Sequence, residues 1–289
     1  MTFRIMNEGK GMDIEMKKIL CGLRYLIIII ISLLCLAPFG ILLILALNTP
    51  QRNFYEGNMF VPDFYFRNFP DGWKQSQIGH AMLNSGLITA GAILLIVILG
   101  AMAGYAVARC KNKFNQTVYL IFLCCMMVPG IINTVPLYGL MIRLHAVNTL
   151  WGMTCVCATL AIPQAVFVFT GFIRALPMEL EEAAVIDGCS QMQVFWKIIL
   201  PLLKPSVSAV VILNGFGIWN NYAQAAFFLQ NRAKHNVPQA LSIYFQQFAG
   251  ARWNIMAATA VIAIVPVVIV FLLFQKNLMR GLTDGALKG

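Results

Sequence analysis

Six long stretches without Asp, Glu, Lys or Arg dominate this chain. Each holds about 20 residues or more, which is enough for a helix to cross a hydrocarbon core about 30 Å thick. Lipid offers no hydrogen-bond partner to backbone groups, so the stretches are predicted to be helices, and they are too uniformly apolar for barrel strands. The predicted fold class is an all-α membrane protein with six transmembrane helices. The stretches are Tyr25–Gln51, Ala81–Ala108, Asn115–Ile142, Ala146–Ile173, Pro205–Asn231 and Trp253–Gln275.

The composition supports a membrane location. The chain has 289 residues, of which 60% are hydrophobic and 11% are charged, whereas soluble domains are about a quarter charged. Its eight cysteines lie in predicted spans or on the reducing cytoplasmic side, so no disulfide framework is expected. No metal site is predicted either, because Cys155 and Cys157 have the wrong spacing for a ligand pair.

The distribution of basic residues predicts the orientation. With the N-terminus inside, 14 of the 21 Lys and Arg residues fall on the cytoplasmic side and 7 outside, which favours two cytoplasmic termini in the inner (cytoplasmic) membrane of the cell. This topology also places residues 174–204 inside, and it explains the net charge of +10 without nucleic-acid binding. Residues 1–20 are a cytoplasmic leader. The apolar run behind it extends to Leu47, beyond a normal signal-peptide core, and is expected to be retained as the first span.

Several kinds of chemistry are not visible in the sequence. No Asp, Glu, Lys or Arg lies in the middle of a span, which argues against an ion-coupled carrier or channel. No Walker-type phosphate loop is present, so the chain is not expected to hydrolyse ATP. No nucleophile–base pair stands out, and we predict a chain that is not an enzyme and binds no cofactor.

The polar segment around residues 182–201 is predicted to be a helix, a tight turn and a second helix. Acidic residues in the first turn complement the helix dipole, Gly188 suits a left-handed stop, and Ser190 with Gln193 fits a capping box that opens the next helix. Elsewhere, Gly100 and Gly104 predict a close helix pair, and Pro129 predicts a kink in the third span.

The spacing of this polar segment resembles the EAA loop of permease subunits in binding-protein-dependent ABC importers. Glu182, Ala183 and Ala184 are followed by Gly188 and then by Ile198 and Leu200-Pro201. Residues 219–222 (Trp-Asn-Asn-Tyr) and the ending from Arg280 to Gly289 resemble the carbohydrate branch, in particular the shorter permease of maltose-type importers. The resemblance covers residues 21–289, with a coupling loop at about 174–204.

This resemblance implies a type I ABC importer permease (MetI-like) fold and a set of partners. The partners are a second homologous permease, an ABC ATPase dimer that holds ATP and Mg²⁺, a solute-binding protein and membrane lipid. The resemblance implies an ATPase-coupling role for Glu181, Glu182, Ala183, Ala184, Asp187, Gly188, Ile198, Leu200 and Pro201. The C-terminal tail residues Gly281, Leu282, Thr283 and Gly285 are implied to contact the ATPase.

Several residues are candidates for lining the solute path, and the sequence leaves two roles open for them. Amides and an aromatic ring suit a hydroxyl-rich ligand, and the sequence offers Asn214, Trp219, Asn220, Asn221 and Gln224. Helix–helix hydrogen bonding is the alternative role for the amides. The resemblance favours a sugar or oligosaccharide as solute, and the rival interpretations are an ABC permease for another solute and an ion-coupled carrier or channel.

Overall fold

The protein is described from a computed structural model. The structure describes the backbone of residues 2–50, 61–110, 112–244 and 252–286, and the side chains of residues 20–50, 61–110, 112–244 and 252–272. In these ranges the chain is helical throughout, with short connections. The helices are α1 Thr2–Ala46, α2 Asn68–Ser76, α3 Ile78–Arg109, α4 Lys113–Met127, α5 Thr134–Arg143, α6 Leu150–Arg174, α7 Glu179–Ile186, α8 Gln191–Leu202, α9 Lys204–Trp219, α10 Ala223–Phe228, α11 Val237–Ser242 and α12 Trp253–Ala286, with a 3₁₀ turn at Arg232–Lys234.

Four helical segments in the described ranges are long and apolar enough to cross a membrane. They are Leu20–Ala46, Ile78–Arg109, Leu150–Arg174 and Trp253–Leu272. The helices α8 and α9, which meet at an angle of 72°, together meet the same criterion as one broken span and would make a fifth. The chain is therefore a multi-pass membrane protein, as predicted. The polar leader is part of the same helix as the first span, because α1 begins at Thr2.

The predicted count of six continuous spans is not matched, because the third stretch is divided into α4 and α5. Helix α4 ends at Met127, and Val128 is extended with φ −83° and ψ 119°. A residue before proline avoids the helical region, and Pro129 also lacks the N–H that would continue the helix. The expected kink is therefore a complete break, and α5 begins at Thr134.

The fifth predicted stretch is also interrupted. Helix α9 ends at Trp219, and Asn220 is the residue at its C-terminal cap. The next helix, α10, begins only at Ala223. The Asn221 side chain accepts a hydrogen bond from the backbone N–H of Gln224 at 3.1 Å. Asn side chains compete in this way with helical hydrogen bonds, so the amides lie at a helix break and not inside a continuous span.

The chain separates into two compact units, of which the first comprises residues 1–70 and 252–261. In this unit Ala46 of α1 packs against Ala257 and Ala258 of α12. The carbonyl groups at the end of α1 are capped by amide side chains. Asn68 Nδ2 donates to the Ala46 and Asn48 carbonyls, both at 2.8 Å, and Asn254 Nδ2 donates to the Asn48 carbonyl at 2.9 Å.

The second unit comprises residues 71–251 and 262–289, and its centre is the pair α3 and α6. Gly100 and Gly104 of α3 are both buried against α6. A Cβ built at Gly100 would lie 2.9 Å from Ala165 Cβ, and one built at Gly104 would lie 2.9 Å from Phe169 Cβ. No real side chain fits at that distance, so these glycines allow the two backbones to approach. The predicted close helix pair is confirmed.

The connections after α9 are held to α3 and to the start of α6 by polar side chains. Asn84 Nδ2 donates to the carbonyls of Ala233 and His235, at 3.1 and 2.9 Å. Asn148, in the α5–α6 connection, has a positive φ of 60°, and its Oδ1 accepts from the backbone N–H of Gln230 at 2.6 Å. These bonds keep the irregular segment in place beside the helices.

Candidate functional site

The segment between α6 and α9 has the local structure that the sequence predicts. Helix α7 carries three glutamates in its first turn. It is followed by Gly188 with φ 86°, which is the left-handed conformation that glycine adopts without a steric penalty. Ser190 and Gln193 then form both bonds of a capping box at the start of α8. Helix, glycine turn and second helix are all confirmed.

One side of this segment is buried in the core of the second unit. Ala184 of α7 and Phe195 and Ile199 of α8 are at most 5% exposed and belong to the same apolar cluster as Phe169 of α6. Ile198 and Leu200 are partly buried against that cluster. The small side chain of Ala184 therefore allows close packing within this chain, and its implied role in ATPase coupling stays a prediction.

Glu181 is also directed inward and forms an ion pair with the last turn of α3. Its Oε1 lies 2.6 Å from Arg109 Nε, and its Oε2 accepts a hydrogen bond from the Tyr105 hydroxyl at 2.8 Å. Arg109 Nη2 also donates to the Leu176 carbonyl at 3.1 Å. The Glu181 and Arg109 side chains are both 12% exposed. The sequence alone did not indicate this network, although Tyr105 and Arg109, four residues apart, share one helix face.

The opposite side of the segment is exposed, and its tip is apolar. Ile186 is 86% exposed and Val185 is 54% exposed. They stand next to the exposed residues Glu182, Ala183 and Asp187. A large apolar side chain that a fold leaves so open is typical of a contact with another molecule when its neighbours form a patch. Val185 and Ile186 were not among the residues predicted from the sequence, although two apolar residues directly before Asp187 and Gly188 were the available signal.

The predicted coupling residues therefore divide into two groups. The exposed group is Glu182, Ala183, Asp187, Gly188 and Pro201, and the group directed into the chain is Glu181, Ala184, Ile198 and Leu200. The exposed group is open to contact with a protein partner, whereas Ala184 is buried and Glu181, Ile198 and Leu200 are only partly exposed. Tight packing on one side keeps α7 and α8 in a fixed position, from which the tip around Ile186 projects.

Helix α8 contains a wide turn just before Pro201. Residues Phe195–Ile199 form a π-helical turn, closed by the backbone N–H of Leu200 donating to the Phe195 carbonyl. Pro201 has no N–H, so the regular hydrogen-bond ladder is interrupted in this region. Single π turns inside helices are often found at functional sites, and this one precedes the 72° bend between α8 and α9.

The candidate pathway residues do not converge on one site. Asn214 is buried and donates to the Val210 carbonyl of its own helix at 3.0 Å. Asn220 is exposed, and the Asn221 side chain lies at the start of α10, with its Nδ2 3.9 Å from Cys157 Sγ of α6. A Cβ built at Gly130 would lie 3.8 Å from Gln224 Nε2. Asn221 and Gln224 therefore lie beside the helix breaks. The Asn214 side chain instead bonds to a backbone carbonyl of its own helix.

Trp219 lines a cavity of about 300 Å³ between α3, α9 and α12. The other walls are apolar, apart from Thr89, and include Ile93, Phe216 and Pro266. A site for hydroxyl-rich ligands requires several convergent polar groups, so this cavity does not suit a sugar. The backbone of the tail residues Gly281, Leu282, Thr283 and Gly285 belongs to α12, but their side chains lie outside the described residues.

Comparisons with known proteins identify the family. Residues 96–284 match the family described as "Binding-protein-dependent transport system inner membrane component". The melibiose/raffinose/stachyose import permease protein MelC of Bacillus subtilis (strain 168) is 35% identical over 253 residues, which are 87% of this chain and 91% of MelC. The probable starch degradation products transport system permease protein AmyC of Thermoanaerobacterium thermosulfurigenes is 31% identical over 260 residues, 90% of this chain and 94% of AmyC.

A solved structure has the same fold at lower sequence identity. A chain of a bacterial ABC transporter involved in the import of the acidic polysaccharide alginate superposes with a TM-score of 0.74 and 19% identity. The match covers 90% of this chain and 96% of that chain. Together with the match over residues 96–284, these similarities show that the chain belongs to the family of inner membrane components of binding-protein-dependent transport systems.

Proposed function

We propose that this chain is the permease subunit of an ATP-driven importer for a sugar or oligosaccharide. The two relatives named above are described as permeases for melibiose, raffinose and stachyose and for starch degradation products. The uncharged middles of the spans agree with a neutral solute, because a charged solute or a coupling ion usually requires ionisable partners in the membrane.

The observation that carries this proposal is the two-sided segment between α6 and α9. Its inner side is fixed by Ala184, Phe195 and the Glu181–Arg109 ion pair, while Ile186 and Val185 project outward. This arrangement suits a rigid contact through which another protein moves the membrane helices. The proposed partner is an ABC ATPase dimer that binds ATP and Mg²⁺, so this chain itself makes and breaks no covalent bond and binds no cofactor.

The proposed transport step is a movement of this segment. When two ATPase subunits close around ATP, the projecting tip of this chain and that of a second, homologous permease are drawn together. The helices behind them then rearrange and reopen the solute cavity to the other side. A solute-binding protein delivers the sugar from outside, and the C-terminal tail contributes a further contact to the ATPase.

The solute path is proposed at the helix breaks beside Gly130 and Asn220. Discontinuous helices near the middle of a membrane commonly form transporter binding sites, because their ends present unpaired backbone groups and polar side chains. Asn220 is exposed, and Gln224 lies beside Gly130. We assign these two amides to the path, and we assign Asn214 and Asn221 a structural role.

The test is reconstitution of this chain in liposomes with the proposed second permease, ATPase and solute-binding protein of the same transporter. We expect uptake of a labelled oligosaccharide such as raffinose only with internal ATP and Mg²⁺, and none when the phosphate-loop lysine of the ATPase is replaced. Uptake without ATP would instead support a carrier or channel. ATP-driven uptake of another solute class, with no sugar transported, would contradict the sugar assignment.

We propose that the chain lies in the inner membrane, with both termini and the α6–α9 segment in the cytoplasm. This orientation can be tested with single cysteines at Ile186 and at Phe66, both exposed, in a chain without the native thiols. In intact cells an impermeant reagent should label only the Phe66→Cys chain, and Ile186→Cys should react only after permeabilisation. Labelling of Ile186→Cys in intact cells would overturn the orientation.

A further inference from the structure

The last turn of α3 is the point where three parts of the α6–α9 segment are attached. Glu181 of α7 binds Tyr105 and Arg109, the Leu176 carbonyl of the α6–α7 connection accepts from Arg109, and the Phe195 ring of α8 lies 5.5 Å from the Tyr105 ring. All three attachments are made by two side chains, one helical turn apart. These polar bonds connect α7 directly to the end of α3.

The geometry of Arg109 suits this attachment. A guanidinium group presents several donors in a rigid plane, so it can bind two acceptors at fixed angles. Here Nε binds the Glu181 carboxylate and Nη2 binds the Leu176 carbonyl, so the connection and α7 are held by the same group. The Glu181 and Arg109 side chains are each only 12% exposed. Replacement of either one therefore leaves the charge of the other partly buried and without an opposite charge beside it.

The movement of α3 is in turn shared by α6. Gly100, Gly104 and the facing residues Ala165 and Phe169 bring the two backbones into contact within two turns of Tyr105. Packed interfaces of this kind move as bodies and do not deform continuously. The segment, α3 and α6 are therefore joined in series, with the partly exposed polar network connecting the segment to α3.

We propose that Glu181, Arg109 and Tyr105 are positioning residues that transmit movement of the α6–α9 segment to α3, and that Glu181 does not contact the ATPase. This inference rests on the proposed function. It assigns adjacent glutamates different roles: Glu182, which is exposed, faces the partner, and Glu181 connects the segment to the membrane helices.

The test compares Glu181→Gln, Arg109→Gln and the double variant in the reconstituted complex. For each variant three quantities are measured: the amount of ATPase that co-purifies, the rate of ATP hydrolysis and the number of sugar molecules transported per ATP. We expect co-purification within about twofold of the unmodified complex, but a fall in sugar transported per ATP of about three- to thirtyfold. The double variant should be no worse than either single variant, because the two residues act as a pair.

Glu179→Gln is the matched control, because Glu179 lies in the same helical turn but is exposed. It should leave the transport ratio unchanged. If Glu181→Gln lowers ATPase binding in proportion to transport, Glu181 is a docking residue and the inference is wrong. An unchanged ratio in Glu181→Gln and Arg109→Gln would also overturn it.

Tyr105→Phe gives a second test if the charge variants do not assemble. It removes only the hydroxyl that donates to Glu181 and keeps the ring beside Phe195. A lower transport ratio with normal assembly supports the inference, and an unaltered ratio overturns it. Absence of ATP-driven sugar uptake by the unmodified complex would instead contradict the proposed function, so the two failures are distinguishable.

Discussion

Gly104 and Phe169 lie so close that a Cβ built at Gly104 would be 2.9 Å from the Phe169 Cβ and 3.2 Å from the Thr170 backbone nitrogen. The two helices that carry them, α3 and α6, have backbones in contact at this level. Since backbone atoms cannot move aside as the end of a flexible side chain can, the absence of a side chain at position 104 determines how closely these helices pack.

Gly104→Ala is therefore expected to destabilise the protein. Overpacking of a tight interior typically costs about 1–3 kcal/mol. Gly86→Ala is the matched control, because Gly86 lies on the same helix and a Cβ there has no neighbour within 4 Å. Thermal unfolding in detergent should show a lower Tm for Gly104→Ala and an unchanged or slightly higher Tm for Gly86→Ala. Equal Tm values for the two variants would contradict the close approach.

Gly188→Leu is expected to impair coupling through the backbone and not through a clash. No atom lies within 4 Å of a Cβ built there, but φ is 86°, and the left-handed region costs other residues about 1–2 kcal/mol. Gly188→Asn should be milder, because asparagine adopts this region more easily. The measurement is sugar uptake and ATP hydrolysis by assembled complex. Normal values for Gly188→Leu would show that this turn is not required.

Ile186→Asp is expected to weaken ATPase binding without affecting membrane insertion. The side chain is 86% exposed, so the change costs the isolated chain little. Loss of a central apolar contact typically costs an interface about 2 kcal/mol, or about thirtyfold in Kd. Ile186→Leu preserves the apolar surface and should bind normally. Titration of purified ATPase onto the permease pair measures both, and equal Kd values would exclude Ile186 from the interface.

Asn221→Leu and Asn220→Leu should have different consequences. The Asn221 side chain accepts a bond from the Gln224 backbone, and loss of such a capping bond costs about 0.5–2 kcal/mol. Asn221→Leu should therefore lower Tm, with uptake per assembled complex unchanged. Asn220→Leu should leave Tm unchanged and alter KM or uptake rate. If uptake per complex changes only in Asn221→Leu, then Asn221 and not Asn220 belongs to the solute path, and the proposed roles of these two residues are wrong.

His235 should make stability depend on pH. Burial lowers its pKa below the ordinary value of 6.5, and the charge of Arg232 lowers it further, against a hydrogen bond with the Gln230 backbone that raises it. Between the lowered pKa and 6.5 the unfolded chain binds more protons than the folded chain, so stability should fall as pH falls through this window. In His235→Gln, Tm should fall less as pH is lowered through this window than it does in the unmodified protein. Identical profiles of Tm against pH for the unmodified protein and His235→Gln would show that His235 does not contribute.

The local features of this chain could be predicted from the sequence because local interactions determine them. The left-handed turn at Gly188 and the capping box of Ser190 and Gln193 involve residues that are at most a few positions apart. Four of the six predicted membrane spans are continuous helices in the described residues for a similar reason, since backbone groups in lipid must bond within their own helix. Gly100 and Gly104 even indicated a close pair, although not the partner helix.

The tertiary structure alone decided which side chains face inward. Glu181 and Glu182 are identical in type and adjacent in sequence, and a helix places them about 100° apart. Packing of α7 against α3 directs Glu181 towards Arg109, 72 residues earlier in the chain, and leaves Glu182 exposed. Residue type likewise does not distinguish the exposed Ala183 from the buried Ala184, or the exposed Asn220 from the buried Asn214. Such choices depend on which helices become neighbours, because burial is decided by atoms that are distant in sequence.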